Sequence, residues 1–424
     1  MTASPVLAGL LETSVRPNRL RDTQWLDRYL ASADGSREPL LLGLGETWRD
    51  TPAALVRALA EVPASAHGYQ LSMYGLPRLR EALESYVSRT QRLDRHAGDF
   101  RVAVSWSGTR GAMADYAQLV RDRREGPLTA TVVGPSWDYA GVLEPLGFRL
   151  RYLDVSRTGW SLDADEVRAF AARGERTDLL VLNPQHNPTG ESWSEPALDA
   201  LLDIARADGS AILVDDAYYG FADGGERRAS AVERILDDEV LRDSLWLAVR
   251  SLGKQFHCNG WGIGAITASP AVLDDFVNDY RARRAFNTSA VEQHAMAVWL
   301  EDEPAVTAYL RGEADTFARR REGLADALAG AGVRPERVVA GPAAPYALIP
   351  VPASFPGGAD EYLEACAVGP GVFMSGVWPA DRTLDRTEPV AADYVRMFLG
   401  LDAPGLAEAV SRLHAAGLTE GTAA

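Results

Sequence analysis

Short apolar runs alternate with amphipathic segments through the middle of the chain. The runs lie at 128–135 (LTATVVGP), 179–184 (LLVLNP), 211–218 (AILVDDAY) and 245–249 (LWLAV). Their length and spacing are typical of strands joined by helices through right-handed crossovers. The pattern therefore predicts an α/β fold in which a mainly parallel sheet has helices on both faces. The intervening helices are predicted at 112–124, 137–146, 163–172 and 195–207.

Each predicted strand is followed by polar residues or by glycine and proline. The strand ends lie at 134–137 (GPSW), 183–184 (NP), 215–216 (DD) and 251–254 (SLGK). Ligands of open α/β sheets bind beyond the carboxyl ends of the strands. We therefore expect the four strand ends to meet in one crevice that holds the functional site.

The rest of the chain has a different pattern. A long helical periodicity runs from Ala290 to Ala329, and the Pro/Gly-rich stretch after it indicates short strands and turns. This predicts a smaller α+β domain, made of residues 1–45 and 289–424, beside a large α/β domain over residues 46–288.

Composition and charge narrow the range of functions. The 424 residues include 43 Lys+Arg and 59 Asp+Glu, which gives a formal net charge of −16. Nucleic acids and anionic membranes bind basic surfaces, so neither is an expected partner. No stretch approaches the ~18 apolar residues of a membrane span. Two distant cysteines and six histidines without ligand spacing predict a cytoplasmic protein with neither a disulfide framework nor a metal.

A single lysine, Lys254, follows the last apolar run in the segment RSLGKQFHCNGWGIG (250–264). Four other motifs precede it: YGLPRLREAL (74–83), PSW (135–137), NPQHNPTG (183–190) and VDDAYYGF (214–221). In their order and spacing, from Gly45 to Arg396, these motifs resemble those of the class I/II aminotransferases, which are fold-type I enzymes. The resemblance implies the cofactor pyridoxal 5′-phosphate (PLP) and a large domain whose seven-stranded type of sheet lies between helices.

Three residues carry the catalytic roles that the resemblance implies. Lys254 resembles the lysine that forms a Schiff base with the cofactor, and its freed amine can move a proton as a general acid and base. Asp215 is similar to the carboxylate that keeps the cofactor's pyridine nitrogen protonated. Tyr218, together with Asn187, matches the two donors to the cofactor's phenolate oxygen O3′.

Other motifs match the family's remaining contacts with the cofactor. Trp137 resembles the aromatic residue that stacks on the cofactor ring. The turn at 107–111, which contains Gly108 and Thr109, resembles the phosphate cup, where a helix N-terminus favours an anion. Ser251 matches a further hydroxyl that binds the phosphate.

The resemblance also implies a substrate clamp and a second subunit. Arg396 resembles the arginine that binds the substrate α-carboxylate through two parallel hydrogen bonds, and Asn187 also faces the substrate. Tyr69 matches a tyrosine that reaches the phosphate of the neighbouring subunit, although Tyr74 competes for this role. We therefore expect a homodimer with shared active sites and a small amino-acid-type substrate.

One position departs from the family pattern. In most relatives the segment after the lysine has the sequence G-W-R-I-G, and its arginine binds the cofactor phosphate. This chain has Gly262 at the position of that arginine. A phosphate in a closed site needs a counter-charge. Arg110, within the phosphate-cup turn, is our hypothesis for the replacement, and Arg250 and His257 are the other candidates.

Three functions remain open at this point. The first is a PLP-dependent aminotransferase that acts on the α-amino group of an amino acid or an amino-acid-like metabolite. The second is a PLP-dependent lyase, a decarboxylating or oxidising enzyme, or a cyclase of natural-product biosynthesis. The third is a degenerate PLP fold that serves as a binding module. The presence of Lys254, Asp215, Tyr218 and Asn187 together argues against this third function.

Overall fold

The computed structural model describes residues 21–32, 37–43, 45, 50–105, 107–220, 229–285, 289–377 and 393–419. The described chain forms a large body around a central sheet and a smaller body beside it. The strands are β1 (Leu40–Leu41), β2 (Arg101–Ser105), β3 (Leu128–Gly134), β4 (Phe148–Asp154), β5 (Leu179–Leu182), β6 (Ala211–Asp215), β7 (Trp246–Ser251), β8 (Gly264–Ala268), β9 (Tyr346–Pro350), β10 (Val372–Phe373), β11 (Ser375–Gly376) and β12 (Tyr394–Phe398).

Seven strands form the central sheet in the order β2-β8-β7-β6-β5-β3-β4. The five strands from β3 to β7 run parallel to one another, and β8 runs antiparallel to both β7 and β2. The prediction of a mainly parallel sheet is therefore confirmed. Three of the four apolar runs found in the sequence contain β3, β5 and β6, and the run at 245–249 covers the first four residues of β7.

These strands form because their side chains are buried on both faces of the sheet. Every residue of β3, β5 and β6 is buried, so β5 and most of β6 are continuous apolar runs, and the polar residues of β3, Thr129 and Thr131, are buried with their neighbours. One hydrophobic cluster covers each face of the sheet. The strong sequence signal of these strands thus follows from double-sided burial.

The helices pack on both faces of this sheet and in the smaller body. Helix α7 shows the local signals clearly, since the Ser194 hydroxyl caps its first turn and left-handed Gly209 ends it. The helices are α1 (Arg21–Ala31), α2 (Ala53–Ala60), α3 (Pro77–Gln91), α4 (Gly108–Asp122), α5 (Ala140–Leu143), α6 (Ala164–Ala171), α7 (Glu195–Asp208), α8 (Ala231–Asp237), α9 (Glu239–Arg242), α10 (Leu252–Gln255), α11 (Pro270–Asp275), α12 (Ala290–Glu301), α13 (Glu303–Gly330), α14 (Gly358–Val368) and α15 (Ala403–Ala415).

Two predicted helices differ from those observed. The helix predicted at 137–146 is reduced to the short α5, because Asp138 accepts the N–H of Gly141 at 2.8 Å and Pro145 lacks the donor needed to continue the helix. The periodicity at 290–329 is divided into α12 and α13. Asp302 separates them, since its Oδ1 accepts the N–H of Ala305 at 3.2 Å and so caps α13.

The smaller body combines both ends of the described chain. Strands β11, β12 and β9 form an antiparallel sheet, and β1 pairs with β10. Met296 and Trp299 of α12 lie in the core of the large body, whereas Phe317 of α13 lies in that of the smaller one. We therefore propose that the domain boundary expected at residue 288 lies later, within α13. No helix in the described ranges is long and apolar enough to cross a membrane.

Candidate active site

A cavity of about 230 Å³ lies where β3, β5, β6 and β7 end. The four strand ends therefore meet in one crevice, as the sequence pattern predicts. Sequence-predicted residues make up most of the lining: Gly108, Thr109, Arg110, Trp137, Asn187, Asp215, Tyr218, Ser251 and Lys254. The remaining lining residues are Ala217, Gly253, Asn259, Gly262 and Ile263.

Lys254 is held by the short helix α10, which begins where β7 ends. Ser251 caps this helix, and its Oγ accepts the N–H of Lys254 at 3.3 Å. A Cβ at Gly253 would lie 3.0 Å from the Cα of Asn259, so a larger residue would push the turn apart. A Cβ at Gly45 would lie 3.1 Å from the Lys254 Nζ, so this glycine lets the backbone approach the amine.

Asp215 ends β6, is only 5% exposed and lines the cavity. The Tyr139 hydroxyl donates to Oδ2 at 2.7 Å, and the N–H of Ala217 donates to Oδ1 at 3.2 Å. Burial raises the pKa of Asp215 to about 6, although these two hydrogen bonds and the charge of Lys254 act in the opposite direction. A bound cation would favour the ionised form.

The neighbouring Asp216 is absent from the cavity lining. It is buried, it accepts a hydrogen bond from the side-chain amide of Gln91, and its Oδ2 lies 3.8 Å from the Arg250 guanidinium. The Arg250 Nη1 in turn donates to the Thr90 hydroxyl at 2.7 Å. Of the two adjacent carboxylates, Asp215 is therefore the one available to a ligand.

Asn187 lies in a loop that is fixed from two sides. Its backbone N–H donates to the Asn183 Oδ1 at 2.9 Å, and its side-chain Oδ1 accepts from the Arg396 Nη1 at 2.8 Å. With the carbonyl oxygen engaged in this way, the amide nitrogen of Asn187 is oriented as a donor.

Arg396 on β12 is held by groups from three parts of the chain. Its Nε donates to the Ser375 Oγ at 3.1 Å, its Nη2 donates to the carbonyl of Gly43 at 3.1 Å, and its Nη1 bonds Asn187. The guanidinium lies 4.4 Å from the centroid of the Tyr346 ring. These contacts fix a cation beside the cavity, which suits recognition of a carboxylate.

The N-terminus of α4 forms another wall of the cavity. Ser107 and Gly108 both have left-handed backbone angles, and the Gly108 N–H donates to the carbonyl of Gly262 at 2.7 Å. The N–H groups of the first helical turn and the helix dipole favour an anion here. A Cβ at Gly262 would lie 3.3 Å from the Gly108 nitrogen, so position 262 directly faces this helix end.

Only Arg110 among the three candidate counter-charges lines the cavity. It is ion-paired with Asp138, and its guanidinium lies 4.6 Å from the centroid of the Trp137 ring, with half of its side chain exposed. Arg250 and His257 are buried and paired with other side chains outside the lining. The geometry therefore disfavours these two candidates.

The two competing tyrosines lie outside the cavity of their own chain. Tyr69 is 80% exposed. The Tyr74 hydroxyl donates to the Asp274 Oδ1 at 2.7 Å and accepts from the Asn278 Nδ2 at 3.1 Å. Of the two, Tyr69 is thus the one exposed to solvent.

Some residues of the site were not found from the sequence. Asn259, whose Nδ2 donates to the carbonyl of Gly45 at 2.8 Å, could have been found because it follows the lysine closely. Tyr139 follows the PSW motif, which was a weak signal. Tyr346, whose hydroxyl lies 2.5 Å from that of Tyr218, gave no local signal.

A polar cluster lies beside the lysine turn. His257, Glu313 and Asp50 offer atoms within 4.8 Å of one another, and the His257 Nε2 lies 2.8 Å from the Glu313 carboxylate. The Arg320 Nη2 lies 3.2 Å from the Asp50 carboxylate. Because this arginine already supplies positive charge, the cluster does not require a cation.

The residues around the cavity fit PLP. An amine, a buried carboxylate, amide and hydroxyl donors, an aromatic ring and a helix N-terminus surround a single space. These groups correspond to the aldehyde, pyridine nitrogen, phenolate oxygen, ring and phosphate of that cofactor.

Comparison with known proteins gives a consistent result. The profile described as aminotransferase class I and II matches residues 37–354, three quarters of the chain. The chain is 25% identical to the arginine–pyruvate transaminase of Pseudomonas aeruginosa over 91% of this chain and 92% of that protein. It is 27% identical to the methionine aminotransferase of Escherichia coli over 66% of this chain and 68% of that protein.

Solved structures show the same fold. A double mutant of the aspartate aminotransferase of Thermus thermophilus matches with a TM-score of 0.76 and 20% identity, over 96% of this chain and 98% of that one. Substrate-bound BacF from Bacillus subtilis matches with a TM-score of 0.75 and 18% identity over the whole of both chains. The prediction of a fold-type I architecture is confirmed by these matches.

Proposed function

The chain belongs to the class I and II aminotransferase family, which is PLP-dependent, and we propose that it transfers the α-amino group of an amino acid or an amino-acid-like metabolite through Lys254. The observation that carries this proposal is the presence of Lys254, Asp215, Tyr218 and Asn187 in one cavity. The named relatives are transaminases, which supports amino-group transfer over elimination, decarboxylation, oxidation or cyclisation. The presence of all four of these polar side chains argues against a degenerate binding module.

Each part of the cofactor has residues that would hold it. Asp215 would pair with the pyridine nitrogen, Tyr218 and Asn187 would donate to the phenolate oxygen, and Trp137 would lie against the ring. Ser251 and the helix turn formed by Gly108, Thr109 and Arg110 would bind the phosphate. When bound, PLP supplies an electron-accepting ring that makes a bond to the substrate α-carbon labile.

Lys254 and Asp215 act on protons at stated positions. With PLP bound, the Lys254 Nζ, which lies against Gly45, would be the base that accepts the proton of the substrate α-carbon and the acid that gives it to the carbon of the cofactor's aldehyde group. Asp215 has a pKa raised to about 6 by burial, and a cationic pyridine nitrogen would lower this value and hold the carboxylate ionised at neutral pH. Tyr139 keeps the carboxylate oriented through its 2.7 Å hydrogen bond.

Arg396 would bind the α-carboxylate of the substrate. Its three hydrogen bonds to Ser375, Asn187 and Gly43 fix the direction of the guanidinium before the substrate arrives. A carboxylate held in this way sets the orientation of the α-carbon relative to Lys254.

The proposal includes a homodimer with shared active sites in the cytoplasm. The segment that carries Tyr69 also exposes Leu71, whose exposed fraction is 82%. Two large side chains exposed in the same short segment are suited to burial against a second copy of this chain. The net charge of −16 gives no support for nucleic acid or an anionic membrane as a partner.

The first test is the absorbance spectrum of the protein with PLP. Lys254 is the only lysine in the chain, so a visible band that depends on it should vanish in Lys254→Ala. Borohydride reduction followed by peptide mass spectrometry should place the cofactor on Lys254, with the N-terminal amine as the internal control.

The same sample then identifies the reaction. Addition of a panel of amino acids should convert the band to a pyridoxamine-type absorbance and release the matching keto acid. Accumulation of ammonia, carbon dioxide or peroxide with return of the original band would instead support the lyase, decarboxylase or oxidase. The absence of any lysine-dependent band at saturating PLP would contradict the proposal that the protein is a PLP-dependent enzyme.

A further inference from the structure

Tyr346 joins the smaller body to the cofactor donors of the large one. It is the first residue of β9, it is buried, and its hydroxyl lies 2.5 Å from the hydroxyl of Tyr218. The two rings meet edge to face, with centroids 5.4 Å apart. Tyr218 lines the cavity, whereas Tyr346 lies behind it.

The direction of this hydrogen bond decides what Tyr218 can do. If Tyr218 donates to Tyr346, its proton points away from the cavity. If Tyr346 donates, the oxygen of Tyr218 accepts this hydrogen bond, and Tyr218 can itself act as a donor toward a ligand. Burial raises the pKa of Tyr218 well above its usual range, so this hydroxyl keeps its proton at neutral pH.

We propose that Tyr346 is a positioning residue that donates to the Tyr218 hydroxyl oxygen and thereby directs the Tyr218 proton toward the cofactor's phenolate oxygen. This inference rests on the proposed function, because it assigns a task to Tyr346 only when the cavity holds PLP. A chain of two hydroxyls in a buried site polarises the outer donor and strengthens the bond that this donor makes.

The position of Tyr346 also links it to the amine and to the substrate clamp. A Cβ at Gly45 would lie 3.0 Å from the Tyr346 hydroxyl and 3.1 Å from the Lys254 Nζ, so both groups border the same small space. The Arg396 guanidinium lies over the Tyr346 ring at 4.4 Å. The Tyr346 hydroxyl therefore acts on the cofactor through Tyr218, and the Tyr346 ring supports the arginine that would bind the substrate carboxylate.

Replacement of the hydroxyl separates these two contributions. In Tyr346→Phe the ring remains under Arg396, but the donor to Tyr218 is lost. The phenolate oxygen is then less well stabilised, so the pH midpoint of the lysine-dependent absorbance of the loaded enzyme should rise by roughly 0.7 unit, the equivalent of one net hydrogen bond. The affinity for an unreactive α-methyl amino acid should stay close to that of the wild type.

The matched control is Tyr362→Phe. Tyr362 is also buried and donates to the carbonyl of Leu418 at 2.8 Å, within the core of the smaller body. The Tyr362→Phe substitution removes one buried tyrosine hydroxyl that does not line the cavity. The pH midpoint of the absorbance of this variant should therefore match that of the wild type. A further variant, Tyr346→Leu, removes the ring as well and should weaken binding of the α-methyl amino acid.

A double substitution tests whether the effect passes through Tyr218. In a Tyr218→Phe background, Tyr346→Phe should shift the midpoint no further. An unchanged midpoint in Tyr346→Phe, or an equal shift in the absence of the Tyr218 hydroxyl, would overturn the proposal. Failure of the wild type to form a lysine-dependent band would instead overturn the proposed function, so the two failures are distinguishable.

Discussion

Restoring the arginine at position 262 should tighten cofactor binding and weaken the folded state. Gly262 has a left-handed backbone, with φ +59°, and a side chain there costs about 1–2 kcal/mol. The added Cβ would lie 3.3 Å from the Gly108 nitrogen, so the turn must yield by a few tenths of an ångström. We therefore expect Gly262→Arg to lower the free energy of unfolding of the cofactor-free protein.

The gain in cofactor affinity is estimated separately. The backbone cost falls on the free and the loaded protein alike, so it cancels in the dissociation constant. A hydrogen bond between a guanidinium and a phosphate contributes about 1.5–3 kcal/mol. The dissociation constant of PLP should therefore fall roughly tenfold to a hundredfold.

The assay compares Gly262→Arg with Gly262→Met. The methionine variant carries the same backbone cost but no charge, so the difference between the two isolates the guanidinium. PLP titrations followed by absorbance give the dissociation constants, and urea unfolding of the cofactor-free proteins gives the stabilities. If the arginine variant binds PLP no more tightly than the methionine variant, then position 262 does not face the phosphate and our placement of the cofactor is wrong.

Three further predictions concern charges in the same cavity. Arg110→Ala should weaken PLP binding about fivefold, the modest effect expected of a half-exposed ion pair, and unchanged affinity in the titration would mean that the helix N–H groups hold the phosphate alone. Gly262→Arg should gain more in the Arg110→Ala background than in the wild type, because two arginines otherwise share one phosphate. For Asp215, burial raises the pKa from 3.8 to about 6, so the folded, cofactor-free protein holds a proton that the unfolded chain releases. Its contribution to the free energy of unfolding should therefore fall by about 2 kcal/mol as the pH rises from about 4 to about 7. Urea unfolding of the wild type and Asp215→Asn across this range should show that loss in the wild type alone, and a pH-independent difference between the two proteins would contradict it.

The parts of the fold that could be predicted are those with local signals. Strands such as β5 and β6 are buried on both faces, so their sequences are continuous apolar runs that stand out from the helices around them. The residues at or just beyond the ends of these strands, among them Asp215 and Asn187, could be located because the carboxyl ends of parallel strands lie at one edge of the sheet. The helix predicted at 137–146 was too long. Asp138 and Pro145 each change one backbone hydrogen bond, and the hydrophobic periodicity carries no information on such single bonds.

Contacts between distant segments could not be predicted in the same way. Tyr218 and Tyr346 are 128 positions apart, and they meet only because β9 of the smaller body docks against the end of β6. Nothing in the sequence around Tyr346 distinguishes it from a core tyrosine. The pairing of Arg396 with Ser375 and Gly43 likewise depends on β12 lying between two other segments.

Two glycines near the lysine, Gly253 and Gly262, have backbone surroundings that their sequence context does not reveal. In the sequence, Gly253 is compatible with extra room near the amine or with a tight turn. The structure supports the tight turn, because a Cβ there would lie 3.0 Å from the Cα of Asn259. Gly262 is also closely packed, but it faces the N-terminus of α4, since a Cβ there would lie 3.3 Å from the Gly108 nitrogen. The backbone before the amine is therefore closely packed, and the departure from the family pattern at Gly262 lies at the proposed anion contact and not at the reacting lysine.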